Sequence, residues 1–182
     1  MEIKTEVLNH REENENLVNI NEIISRGENS EVEFKASLMW DYNNKTVNEE
    51  LQYIIARSIA SFLNSEKGGT LIIGIKDNEI LGIEKDIEKS PLKHPNKDGF
   101  YLKIGEIIDN YLGKSINRFV DTKFVTIDNK TICILKIKKA SDKVFLKPKN
   151  NSNLKFYVRI GNRTNKLEGE ELVRWIRKNW PQ

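Results

Sequence analysis

Cysteine is almost missing from this 182-residue chain, and the scarcity removes several kinds of chemistry at once. One thiol, Cys133, can neither close a disulfide nor build a cysteine-based zinc site within one chain. Its place in the apolar run TICILKI reads as a buried, reduced side chain rather than a nucleophile. His94 has no His or Cys companion at ligand spacing, so a histidine metal site is not expected. No apolar run approaches the roughly 20 residues that span a bilayer. The N-terminus lacks the basic, apolar, small-residue order of a signal peptide, and the expected location is the cytoplasm. No G-x-x-x-x-G-K-[ST] occurs, and Gly68-Gly69 precedes a strand pattern rather than a helix, so a phosphate cradle of the P-loop kind is absent. There are no internal repeats.

What remains is a chain with 38% hydrophobic and 31% charged residues, the balance of one globular domain. Residues 1–16 are charged and Asn-rich without a sustained period, and read as a flexible lead or a linker to a fused upstream domain. Residues 17–182 are expected to form the domain. The net charge of +3 conceals an asymmetry. Lys136 to Lys166 holds ten Lys or Arg against the single acid Asp142, whereas the first fifty residues hold twelve acids and five bases. So basic a segment attracts a polyanion, nucleic acid first, although Lys-rich hairpins also protect sheet edges. Lys136, Lys138, Lys147, Lys149, Arg159 and Arg163 are the candidate nucleic-acid contacts.

Periodicity predicts the elements. Leu17, Ile20, Ile23 and Ile24 recur at helical spacing up to the stop at Arg26-Gly27. Residues 36–46 read as a loop with the aromatic pair Trp40 and Tyr42. A capping box, Thr46-x-x-Glu49, opens a helix whose apolar face runs from Val47 to Leu63. TLIIGIKD then reads as a strand buried on both faces, with a turn at Asp77-Asn78-Glu79 and a returning strand at 80–83. Residues 84–97 read as a loop, followed by a helix from Asp98 to Gly113 and a long hairpin, 119–127 with 131–138. Short strands at 144–146 and 156–160 and a helix from about Glu168 to Asn179 complete the chain. The fold class is a mixed α/β (α+β) arrangement: a single sheet with helices packed on it.

The stretch GENSEVEFK, Gly27 to Lys35, carries the candidate chemistry. Alternation puts Val32 and Phe34 on the core and Glu31, Glu33 and Lys35 on the other face, with Glu28 in the turn before them. Carboxylates converging at a strand start suit a hard divalent cation, and a lysine beside them can stabilise a developing oxyanion. A solvated strand face with an ordinary ion pair is the alternative. Asp77, at the end of the next strand, is either a third carboxylate or a turn-making residue.

In their order, G-E-x-x-x-x-E-F-K, S-I-A-S-F-L-N-S, G-G-T-L-I-I-G-I-K-D and F-Y-V-R-I-G-N-R-T resemble the Schlafen-type AlbA domain over nearly all of 17–180. The resemblance implies a nucleic-acid-binding α/β domain. In Schlafen proteins the first and third motifs supply three carboxylates of a metal-dependent ribonuclease site acting on structured RNA such as tRNA. By position these are Glu28, Glu33 and Asp77, with Lys35 beside them, and Mg²⁺ or Mn²⁺ is the expected metal. Animal Schlafens set two such lobes around a groove and add a zinc site. This chain has one lobe, so a homodimer is expected to supply the groove, and zinc is not expected. Two functions follow: a metal-dependent endoribonuclease, such as a toxin or anti-phage defence effector, or a non-catalytic DNA- or RNA-binding regulatory or targeting module.

Overall fold

The computed structural model describes residues 20–149 and 153–181. The expected lead at 1–16, Leu17 and part of the KPKNNSN loop lie outside the described residues. A four-stranded sheet is central, in the order β1 (Val32–Lys35), β4 (Gly69–Ile73), β8 (Lys130–Ile137), β7 (Val120–Ile127). β1 runs parallel to β4, and the other two pairs are antiparallel. Mixed pairing of this kind needs a crossover, and α2 (Glu50–Leu63) provides it between β1 and β4.

Both faces of the sheet are covered, which period 2 explains residue by residue. Leu71, Ile73, Cys133 and Leu135 face α2 and α4 (Lys97–Tyr111), where they meet Ile55, Ile59, Phe62, Phe100, Ile104 and Ile108. Phe34, Ile72, Ile132 and Ile134 face the other way and meet Ile20 and Ile24 of helix α1, residues 20–26. Cys133 is wholly buried as expected, and burial pushes its thiol pKa up. The glycine pair 68–69 is a packing requirement. Gly68 has φ +77°, and a Cβ there would strike the Ile137 carbonyl, while one on Gly69 would strike the Phe62 ring.

Several expectations are corrected. Thr46 and Val47 form β3, paired with β2 (Trp40–Asp41), so the capping box never forms: α2 begins at Glu50, and the Asn48 side chain accepts from the Glu50 amide. The run TLIIGIKD breaks at Gly74, φ +103°, and β5 (Ile75–Lys76) leaves the main sheet to pair with β6 (Glu79–Ile80). The segment 84–97 contains a helix, α3 (Glu84–Lys89), whose Asp86 accepts from the Leu38, Met39 and Trp40 amides at 2.7–2.8 Å. The expected strand at 144–146 is reduced to one bridge, Leu146 with Lys155.

The C-terminal part forms its own layer. β9 (Phe156–Ile160) pairs with β10 (Arg163–Leu167), and one face of this hairpin, through Phe156, Val158 and Leu167, packs on Leu172, Trp175 and Ile176 of α5 (Gly169–Asn179). The other face turns Tyr157 and Arg159 toward α2. Ile160 keeps the direction expected with Phe156 and Val158, lining a groove with Leu167 and Trp175, and is 49% exposed at the hairpin tip.

Candidate functional site

Strand β1 carries Glu33 on the face that meets α2, and that face is dry rather than solvated. The Ser58 hydroxyl donates to Glu33 Oε1 at 2.9 Å, and Lys35 Nζ lies 2.5 Å from the same oxygen. Arg159 donates from Nη1 to Glu33 Oε2 at 2.5 Å, the two side chains being 1% and 8% exposed. The rest of the guanidinium is spent locally: Nε donates to the Asn29 carbonyl, Nη2 to the Asn29 and Val32 carbonyls, and the group lies 5.0 Å from the Phe62 ring centroid. A planar fork with five donors is the side chain suited to such a position.

The other acids are engaged elsewhere. Glu28 Oε1 accepts from the Phe34 amide at 2.7 Å, so it caps the start of the strand. Asp77 is exposed in a tight turn with Asn78, at φ +50° and +63°, the backbone of a type I′ hairpin. Asp77 therefore stands at the tip of a small ribbon, not at the end of a central strand. An open cleft of about 400 Å³ brings Glu28, Lys35, Lys76 and Asp77 together, but Glu33 is not part of its lining. Among the described residues no three His, Cys, Asp or Glu gather closely enough to hold a metal ion. The expected set Glu28, Glu33 and Asp77 thus does not fit Mg²⁺ or Mn²⁺ as it stands, because two cationic side chains and a hydroxyl already satisfy the central carboxylate.

The basic stretch that is continuous in sequence is divided in space. Arg159 is buried against Glu33 and unavailable to a phosphate, which corrects its assignment as a contact. Lys147 and Lys149 follow α4, the Lys147 amide donating to the Tyr111 carbonyl, and Lys149 pairs with Glu49 at 3.1 Å. Arg163 stands at the mouth of the β9–β10 turn, opposite Ile160. Lys136 points out from the face of β8 that also carries Ile134, and Lys138, one residue beyond the strand, is exposed where its amide donates to the Phe119 carbonyl. On that face α1 packs over Ile72, Ile132 and Ile134, whereas the row of Thr70, Lys136 and Asp121 stays outside the cluster. Lys123, opposite Ile134 on β7, is exposed beside it. Lys123, Lys136 and Lys138 make a basic strip on one sheet face, with Asp121 the acid within it. Sequence reasoning missed Lys123, although the Asp128-Asn129 turn fixes the register that places it near Lys136.

A family model described as Schlafen, AlbA_2 matches residues 28–168. The chain belongs to that family. The match takes in the acidic strand, both sheet hairpins and β9–β10, and so confirms the resemblance carried by the motifs. A solved structure, the DIP2311 protein from Corynebacterium diphtheriae, is similar with a TM-score of 0.55 and 18% identity. The likeness covers 84% of this Schlafen AlbA_2 chain and 25% of that protein, so the chain spans about a quarter of its neighbour's length, and the likeness is one of fold. No curated protein matches the chain. Among the described residues no helix is long and apolar enough to cross a membrane.

Proposed function

We propose that this Schlafen AlbA_2 domain binds nucleic acid, RNA in preference to DNA, and works as a regulatory or targeting module without cutting the strand. The observation that carries this reading is the state of Glu33. A carboxylate buried with Arg159, Lys35 and Ser58 is a structural anchor, and freeing it would leave the arginine charge buried without a partner. Lys123, Lys136 and Lys138 are the contacts we assign to the phosphates. They are exposed, they share one face, and no ion pair engages them among the described residues. A homodimer setting two such strips across a two-fold axis would lengthen the track, and light scattering of the full chain tests it: a monomer mass with RNA bound would rule the dimer out.

The test of binding is its salt dependence. Each phosphate neutralised contributes roughly 0.7 to 0.9 to the slope of log affinity against log salt, so reversing Lys123, Lys136 and Lys138 to Glu should lower both affinity and slope. An unchanged slope in the triple variant would place the nucleic acid elsewhere. A second reading, metal-dependent cleavage of structured RNA in a toxin or defence role, draws on one observation: Glu28, Lys35 and Asp77 share a cleft. It requires Glu33 to leave Arg159, and RNA cleavage lost in both Asp77→Ala and Glu28→Ala would favour it.

A further inference from the structure

Three tyrosines and three cations meet where α2 passes the end of α4 and the start of β9. The Tyr53 and Tyr157 hydroxyls are 2.9 Å apart, and Lys155 Nζ lies 3.3 Å from the Tyr53 hydroxyl and 5.3 Å from its ring centroid. Tyr53 and Tyr111 pack edge to face at 6.0 Å. A cleft of about 220 Å³ opens among Tyr53, Tyr111, Pro148, Lys149, Lys155 and Glu50.

Arg57 lies one helical turn after Tyr53 on the same side of α2, outside the cleft's lining. Burial, followed by the Tyr53 hydroxyl, raises the Tyr157 phenol pKa, and the charges of Lys155 and Arg57 oppose the rise, so both cations bear on the same phenol. Unlike Arg159, Arg57 has no carboxylate among its described ion pairs, and its Nε is buried without a hydrogen-bond partner. A buried donor left unpaired is costly and calls for an acceptor. Two carboxylates stand at the mouth, Glu50 in the lining and the exposed Glu49 on Lys149, against the three cations Arg57, Lys149 and Lys155.

We infer that this cleft is a phosphate subsite, in which Lys149, Lys155 and the tyrosine hydroxyls take the oxygens of a phosphate or phosphodiester and Arg57 supplies charge from outside the lining. Lys149 exchanges Glu49 for the ligand. The subsite extends the nucleic-acid reading if the group belongs to a bound strand, and a free nucleotide or inorganic phosphate offers the same chemistry.

The test is an NMR titration of the ¹⁵N-labelled full chain with sodium phosphate, with sodium chloride at matched ionic strength, and with a short RNA carrying or lacking a 5′-phosphate. Saturable shifts at Tyr53, Tyr111, Lys149 and Lys155 are expected with phosphate and not with chloride. Lys155→Gln should weaken that binding about tenfold, as loss of a charge-assisted bond implies, and Arg57→Gln should weaken it less, through the lost charge alone. Lys155 is only partly buried, so its variant carries the test if Arg57→Gln does not fold. Shifts with phosphorylated RNA alone identify a terminal phosphate, shifts with both RNAs a phosphodiester, and shifts with inorganic phosphate alone a free ligand. Absence of shifts with all three, or equal affinity in both variants, overturns the subsite. RNA that binds with shifts confined to Lys123 and Lys136, with no shift in the cleft from inorganic phosphate, overturns it while leaving the nucleic-acid reading intact.

Discussion

Glu33 and Arg159 are 126 residues apart in sequence and form the most buried ion pair of the described chain. Residue type and alternation singled Glu33 out, because a carboxylate between Val32 and Phe34 must lie on the opposite face from both. Nothing local revealed its partner. Arg159 sits in a run of cations that reads as polyanion-binding, and only the packing of β9 on α2 turns it inward. The pair makes a specific expectation for stability. Glu33→Gln leaves the buried Arg159 without a carboxylate and should cost about 3–5 kcal/mol in urea unfolding, whereas Arg159→Met leaves Glu33 its Lys35 and Ser58 partners and should cost less. The double variant should cost clearly less than the sum, since the same penalty is counted in both singles. Additive losses would mean that the two groups do not depend on each other.

At the scale of elements, the sequence was clearest where the signal is local. The apolar stripes of α2 and α4 and the turn Asp128-Asn129 between β7 and β8 each declare themselves within one or two turns of chain. It was least clear where distant pairing decides. The Thr46-x-x-Glu49 pattern lost to β3, because Val47 pairs with Trp40 instead of entering the helix. Helix α3 is six residues long, too short for a period to emerge, and its role is to present Asp86 to three amides of the loop after β1. That loop holds Leu38 and Met39 in the core, both fully buried. Asp86→Ala would strand two buried N–H groups and a partly buried third, and a loss of about 3 kcal/mol is expected, with faster amide exchange at Leu38, Met39 and Trp40. Unchanged protection at those amides would show that the loop is held by its apolar side chains instead.

For the whole molecule, density of charge along the chain proved different from density in space. Ten cations between Lys136 and Lys166 distribute over an open sheet face, the end of α4 and a hairpin tip, and one of them is buried. The strip that results draws on a residue outside that run, Lys123, because sheet register and not sequence proximity assembles it. Family membership and the mixed sheet were both legible from motif order, since G-E-x-x-x-x-E-F-K and the glycine-led strand record where β1 and β4 must lie side by side. The expected metal set did not follow from motif order, because the two motifs that carry it bring Glu28 and Asp77 to one cleft while Glu33 turns to Arg159.

The most direct measurement is to incubate the full chain with structured RNA in Mn²⁺ or Mg²⁺, reading affinity and strand integrity in the same samples. Salt-sensitive binding with the RNA left whole, equally with metal or with chelator, is the predicted result. Metal-dependent scission lost in both Asp77→Ala and Glu28→Ala would contradict the account, and so would the absence of any binding.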